Sequence, residues 1–313
     1  MFHILSITAP IFLLIGLGYL AARAGLLSRE QIRGMGSFAM TFTLPALILR
    51  ALSQRPIGEV VDPVFVLAYG LGSLLIFSLG FAFFRLVRHQ SVASCALSAG
   101  GMSVSNSGFI GFPVVAMVLG APAGVALALC MLVENLLIIP MMLFLAEASA
   151  QNGKGRGAII GETLKRLARN PIILAIVLGL CLSLLQVSIP AIPLKAIDML
   201  ANAAAPVALF VIGGTLFGLR VGGQGADIAQ VALAKLILHP LAVALAFAVL
   251  PSIDPTMRLA GILFASAPML SVYPLFGQRF GFEERCAAIL VTATALSFFT
   301  MGGALALMGA GAF

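Results

Sequence analysis

Charge is what this sequence has least of. Only 9% of its 313 residues are Asp, Glu, Lys or Arg, against roughly 25% in an average soluble domain. So few charges cannot cover a water-facing surface, which excludes an ordinary soluble enzyme and a disordered chain. Cysteine is also scarce. Cys95, Cys130, Cys181 and Cys286 all lie in apolar runs without ligand spacing, so neither a disulfide framework nor a metal site is expected. Several catalytic motifs are missing. There is no HExxH, no GxSxG, no paired-Asp motif for metal–diphosphate chemistry and no GxxxxGK[ST] loop, so no cofactor is expected and ATP-driven action by this chain alone is disfavoured. The first apolar run begins at Phe2 without a basic segment before it, and no cleavable signal is expected.

What remains is apolar. Hydrophobic residues make up 61% of the chain, and the mean hydropathy is +1.13. That composition belongs to a polytopic membrane protein whose partner is the lipid bilayer. The net charge of +7 would suggest nucleic acid in a soluble chain. Here it marks cytoplasmic loops, and no nucleic-acid partner is expected.

The uncharged runs predict ten crossings. Five lie near 2–22, 32–52, 63–84, 92–119 and 122–146. Five more lie near 171–188, 194–219, 227–250, 255–280 and 285–311. The fourth and fifth are divided only by the Gly120-Ala121-Pro122-Ala123-Gly124 break, a turn signal. A basic linker, 148–169, separates a first unit, 1–147, from a second, 170–313. With the N-terminus outside, the inner loops hold 13 basic residues: Arg23, Arg29, Arg33, Arg85, Arg88, Lys154, Arg156, Lys165, Arg166, Arg169, Arg220, Arg279 and Arg285. The outer loops hold 4: Arg50, Arg55, Lys195 and Arg258. This bias predicts both termini outside a cytoplasmic (inner) cell membrane.

Proline spacing points to a duplication. Pro10 and Pro171, Pro45 and Pro206, and Pro113 and Pro274 are each 161 residues apart. Gly18/Gly179 and Gly100/Gly261 follow the same shift. Five crossings per unit is an odd number, so the second unit enters from the opposite side. Inverted repeats are a feature of secondary transporters, which bind substrate where equivalent helices unwind. Two segments are composed to unwind. Gly100–Pro113 has four glycines, four polar residues and a proline, and Ser266–Pro274 has two prolines and two serines, Ser266 and Ser271. Under the 161 offset Ser266 falls on Ser105 and Pro274 on Pro113. Proline removes a backbone donor and freed groups in lipid need partners, so such segments persist only beside protein or a watery cavity. Half-helix N-termini there would favour an anionic group.

Around these breaks the candidate substrate contacts are Ser105, Asn106, Ser107, Gly108, Ser271 and Tyr273, with Asn106 foremost. Pro113, Pro268 and Pro274 set the crossover. Thr41 and Asn202, related by the offset, either line the cavity or bond a carbonyl of their own helix. Glu134, with Asn135 beside it, is the one acid deep in a run, where a carboxylate costs about 2.5–3.5 kcal/mol on insertion scales. It either carries a coupling proton or ligates a cation beside Asn106, or it is a structural acid bonded to a neighbouring helix. Lys235 and His239, one turn apart, share a helix face. Lys235, about 12 Å deep at 1.5 Å per residue, is expected to extend to the cytoplasmic surface, with an accessory anion-binding role as the alternative. His239 is expected to bond the backbone freed by Pro240, with a proton relay as the alternative. Arg50 is expected to anchor its helix at the outer interface.

Several pieces resemble the auxin efflux carrier family, which includes plant PIN-type exporters and bacterial malonate-transporter-like members. They are Phe42-Thr43-Leu44-Pro45-Ala46-Leu47, Asn106-Ser107-Gly108-Phe109-Ile110-Gly111-Phe112-Pro113, Asn170-Pro171, Ala203-Ala204-Ala205-Pro206-Val207-Ala208-Leu209-Phe210 and Lys235-Leu236-Ile237-Leu238-His239-Pro240. The resemblance implies an all-α polytopic membrane protein of ten transmembrane helices in two inverted five-helix repeats, with broken, crossing fourth and ninth helices. It also implies a homodimer and transport of organic anions, usually carboxylates. The chain lacks the long central hydrophilic loop of the plant members and the acid in their third crossing. That favours a small carboxylate such as malonate over auxin. The related bile-acid symporter fold uses similar crossing helices with sodium, so proton and sodium both stay open as the coupling ion. The expectation is a secondary active transporter working by alternating access and not an enzyme. A channel and an intramembrane enzyme stand behind it.

Overall fold

The computed structural model describes residues 2–149, 161–162, 164–165, 167–217 and 225–309. Lys154, Arg156 and Arg166 of the predicted linker, and Arg220, lie outside them. Among the described residues every regular element is helical. Seven helices among these residues are long and apolar enough to cross a membrane: 29–53, 63–87, 92–119, 122–149, 191–216, 225–249 and 283–304. Leu13–Arg23 and Pro171–Leu185 are shorter apolar helices, and the 255–280 run is divided between Pro255–Ser266 and Tyr273–Arg279. The protein is an all-helical, multi-pass membrane protein, and its helices follow the uncharged runs.

Helix ends obey local chemistry. The second run starts earlier than the charge count suggests, because Ser28 and Gln31 form a reciprocal cap: Gln31 N donates to Ser28 Oγ (3.2 Å) and Ser28 N to Gln31 Oε1 (2.8 Å). Each bond satisfies a donor that a helix start leaves open. Asn170 caps Pro171–Leu185 through Ile172 N (3.0 Å), with Pro171 in the first turn, where its missing N–H costs nothing.

The long helices are not uniformly α-helical. Among the described residues they contain five π turns: Ala39–Thr43, Phe83–Val87 at the end of its helix, Ser107–Gly111, Glu134–Ile138 and Ala234–Leu238. Four end two residues before a proline, namely Pro45, Pro113, Pro140 and Pro240. A proline ring clashes with the carbonyl four residues back and cannot donate to it. Widening that turn is one way to continue the helix. Pro206, by contrast, sits inside the unbroken helix Ala191–Leu216.

The chain folds as two compact units. The first comprises Met1–Pro63, Ser107–Met131 and Arg169–Gly218; the second comprises Val64–Asn106, Leu132–Ala168 and Leu219–Phe313. In the first unit, α1 (Phe2–Arg23) packs on the 191–216 helix with almost no room between backbones. A methyl group on Gly18 would strike the Phe210 carbonyl, and one on Gly213 the Ile15 carbonyl. Small residues allow this approach, which supplies packing where lipid gives no hydrophobic drive. Gly213→Ala is therefore expected to cost about 1–3 kcal/mol through overpacking. A lower unfolding temperature in detergent checks it; an unchanged one would show that the helices separate freely. In the second unit, Gly72 lies against Val243, and Gly100 against Met142. A buried cluster of Ile76, Phe84, Met102, Val231, Met269 and Tyr273 fills its interior.

Candidate substrate and coupling site

Part of each segment predicted to unwind is unwound, 104–106 in the first and 267–272 in the second. The helix Val92–Ser103 ends at Val104, whose backbone is extended (φ −104°, ψ 134°), and helical structure resumes only at Ser107. Pro255–Ser266 ends at Ala267, also extended, and resumes at Tyr273. The two gaps meet within the second unit. Asn106 N donates to Pro268 O (2.7 Å), and Asn106 Nδ2 donates to Ser271 Oγ (2.7 Å). A backbone donor released by one break thus finds a carbonyl on the other, as an apolar surround requires.

Two further backbone groups at the breaks are satisfied by charged side chains. Ser105 N, which a continuous helix would point at Gly101 O, instead donates to Glu134 Oε1 (3.3 Å). The Ala265 carbonyl accepts from Lys235 Nζ (2.7 Å). Lys235 Nζ also donates to Ser105 Oγ (2.8 Å) and lies 2.7 Å from His239 Nδ1. Its three N–H groups therefore have three acceptors. His239 Nε2 is 2.9 Å from Ser73 Oγ. With Nδ1 accepting from the ammonium, the ring is neutral and carries its hydrogen on Nε2, directed at Ser73. Tyr69 Oη donates to Glu134 Oε1 (2.8 Å) and lies 3.3 Å from Ser105 Oγ. Its ring meets His239 edge-on at 5.9 Å.

The result is a continuous polar chain, Glu134–Tyr69–Ser105–Lys235–His239–Ser73, with every member at most 1% exposed. Glu134 opens one π turn and Lys235 lies in another. Hydroxyls relay between the buried carboxylate and the buried ammonium. An ionisable group inside a membrane protein normally marks a functional path.

This geometry corrects two expectations. Lys235 does not extend to the surface: three acceptors hold it inward, and it is fully buried. His239 does not bond the backbone freed by Pro240. The π turn ahead of the proline absorbs that disruption, with His239 N bonded to Ala234 O, and the ring turns to Lys235 and Ser73.

The other candidates are distributed as follows. Ser105, Asn106, Ser271 and Glu134 come together with Pro268. Asn135 follows Glu134 and is half-buried. Tyr273 holds the scaffold: buried, it donates to Leu97 O (2.9 Å) and occupies the space above Gly101, where a methyl group would sit 2.7 Å from its oxygen. Pro274 lies in the first turn of Tyr273–Arg279, and Pro113 in that of Phe112–Leu119. In the first unit, Ser107 and Gly108 are buried, and Gly108 faces Leu44 and Met131. Thr41 is exposed on its π turn. Asn202 is also exposed, and its Oδ1 accepts from Arg50 Nη1 (2.9 Å), which also lies 3.5 Å from Asp198 Oδ1. Arg50 therefore ties the 29–53 helix to the 191–216 helix.

The family model for membrane transport proteins matches residues 3–303. The chain is a member of that family. It is the family of the auxin efflux carriers, to which the quoted pieces pointed, and it is a transport family, not an enzyme family. A Rhizobium meliloti (strain 1021) protein named "Putative malonate transporter" is 32% identical over all of this chain and 98% of its own length. The "Uncharacterized transporter YfdV" of Escherichia coli (strain K12) is 30% identical over 75% of this chain and 76% of its own. The mouse "Lysosomal cholesterol signaling protein" is 27% identical over 72% of this chain but only 27% of its own length.

In this membrane transport protein, sequence reasoning missed Tyr69 and Ser73. They lie one turn apart on the 63–87 helix and so share a face, and a polar pair at that spacing in an apolar run was the available signal. It also missed an ionic cluster in the second unit. Asp227 is held by Arg88 (2.8 Å), Gln90 (2.7 Å) and Arg285 (3.4 Å). Arg285 further donates to Gln90 Oε1 (3.1 Å), Ser94 Oγ (2.5 Å) and Ser98 Oγ (2.9 Å), and it lies over the Phe84 ring. It clamps the start of Val92–Ser103, the helix that ends at the site.

Proposed function

We propose that this membrane transport protein is a secondary active carrier of a small organic anion. A carboxylate such as malonate is the first candidate, moved across a cytoplasmic membrane by alternating access and driven by a proton or sodium gradient. The observation that carries this reading is the pair of helix breaks bonded through Asn106, Pro268 and Ser271, directly beside the buried Glu134–Lys235 chain. The Asn106 amide and the Ser271 hydroxyl suit a carboxylate by neutral hydrogen bonding, because Lys235 spends its donors internally. The malonate assignment leans on the name of the full-length Rhizobium relative.

The same reading takes the helices as ten crossings in two inverted repeats, 1–147 and 170–313, with both termini outside and two copies forming a homodimer. The composition of the compact units supports the repeat. Runs one, two, six and seven contribute to the first unit; three, eight, nine and ten contribute to the second. The offset-related runs one and six, two and seven, and three and eight are thereby grouped together, whereas runs four and five are divided between the units. Proteoliposome uptake with a panel of labelled carboxylates, under proton and sodium gradients imposed separately, tests the reading. Accumulation of at least one carboxylate under one gradient is expected. Failure of every carboxylate to bind or move would overturn it.

A further inference from the structure

We infer that each cycle carries one proton on Glu134 together with one negative charge of substrate, so that a monoanionic carboxylate crosses with no net movement of charge. This rests on the carrier reading above and concerns how charge is balanced at that site.

Among the described residues, the charged side chains sealed from solvent are Glu134, Lys235 and Asp227. Asp227 is already matched by Arg88 and Arg285. That leaves Glu134 and Lys235, opposite in sign and joined through Tyr69 and Ser105, with His239 neutral. The side-chain chain is therefore balanced at rest. The next residue after Ser105 is Asn106, the proposed contact for the anion. An arriving carboxylate adds one negative charge to a balanced, water-poor surround, where unmatched charge is costly.

One proton restores the balance, and the geometry selects where it goes. Lys235 already carries its full set of hydrogens, each with an acceptor. A proton on His239 Nδ1 would face the Lys235 ammonium at 2.7 Å, placing two cations head to head. The Glu134 carboxylate meets Tyr69 from the 63–87 helix and Ser105 from the break, and the Lys235–His239 pair of the 225–249 helix is joined to it through the Ser105 and Tyr69 hydroxyls. The carboxylate takes the proton as an O–H bond and becomes neutral. Lys235 is then the uncompensated charge that matches the substrate. The Lys235 ammonium also occupies Ser105 Oγ and the Ala265 carbonyl, two oxygens that a sodium ion at this break would use. The break itself transmits the change, because Glu134 holds Ser105 N and Asn106 N holds Pro268 O.

The test uses the purified full chain in proteoliposomes with labelled malonate, assayed below the second ionisation of malonate so that hydrogen malonate is the transported form. Protein-free vesicles correct for leakage of the neutral acid. Uptake is expected to follow an imposed pH gradient, with one proton taken up per malonate. It is expected to ignore sodium and a potassium–valinomycin diffusion potential. Glu134→Gln, fixed in the neutral form, is expected to retain malonate counterflow and lose accumulation driven by the pH gradient. Uptake that responds to the diffusion potential or to sodium, or a Glu134→Gln protein that still accumulates malonate like the wild type, would overturn the inference. Should that variant not fold, the wild-type proton-to-malonate ratio and the voltage response decide alone. Malonate flux with no accompanying proton refutes this inference and leaves the carrier reading intact, whereas absence of flux for every carboxylate refutes the carrier reading itself.

Discussion

Replacing Lys235 by methionine is expected to lower stability by about 3–5 kcal/mol, the usual cost of leaving one partner of a buried ion pair uncompensated, and to abolish gradient-driven transport. Three links are lost at once. The Ala265 carbonyl and Ser105 Oγ lose their donor, His239 loses its cation, and Glu134 is left charged at 1% exposure. The decisive comparison is the double variant Lys235→Met/Glu134→Gln. With no lone charge left, it should recover most of the stability while remaining inactive in transport, since nothing titrates. Thermal denaturation in detergent, followed by loss of the monodisperse species on size-exclusion chromatography, reads the first quantity; proteoliposome uptake reads the second. A single variant as stable as the wild type would show that the two charges do not depend on one another.

Asn106→Ala is expected to leave the fold in place and to weaken transport about ten- to a hundredfold. A hydrogen bond to a charged group contributes roughly 1.5–3 kcal/mol, and each 1.4 kcal/mol is about a factor of ten. The fold survives because the backbone bond from residue 106 to Pro268 O does not need the side chain. What disappears is the amide bonded to Ser271, the group assigned to the substrate. Ser271→Ala should show a smaller loss, because the Asn106 amide remains. Binding measured by thermal stabilisation with malonate should fall in the same order as uptake. Equal losses in both variants, with unchanged malonate binding, would place the anion elsewhere.

The broad architecture was legible because it is written in what the chain omits. Stretches without charge fix where helices run, and glycine, serine and proline between 100 and 113 and between 266 and 274 fix where two of them stop. Asn106 could be read the same way, being a polar residue in a segment already unfit for a helix. The partners of the charged residues could not. Depth along a helix placed Lys235 within reach of the surface, but only packing decides whether a long side chain turns outward or finds Ser105 and the Ala265 carbonyl. Tyr69 and Ser73 offered only a one-turn polar spacing, and their partners were hidden for a related reason. Two hydroxyls on one helix face mark a face, and their meaning depends on the helix opposite. Asp227 and Arg285, 58 positions apart in the sequence, meet only through folding.

The π turns bear on the aim of these groups. Each closes with a bond to the fifth residue back, so each holds one residue more than an α-helix of the same course. That surplus residue rotates everything before it by about 100° relative to everything after, the angle of one step on a helix of 3.6 residues per turn. Glu134 and Lys235 stand on such turns, and their azimuths are therefore set by the length of the chain between each of them and the proline that follows. Closing either turn to α-helical pitch with all its residues kept, as replacing Pro140 or Pro240 by alanine would favour, would swing the charge away from Ser105, with no change to the charged residue itself.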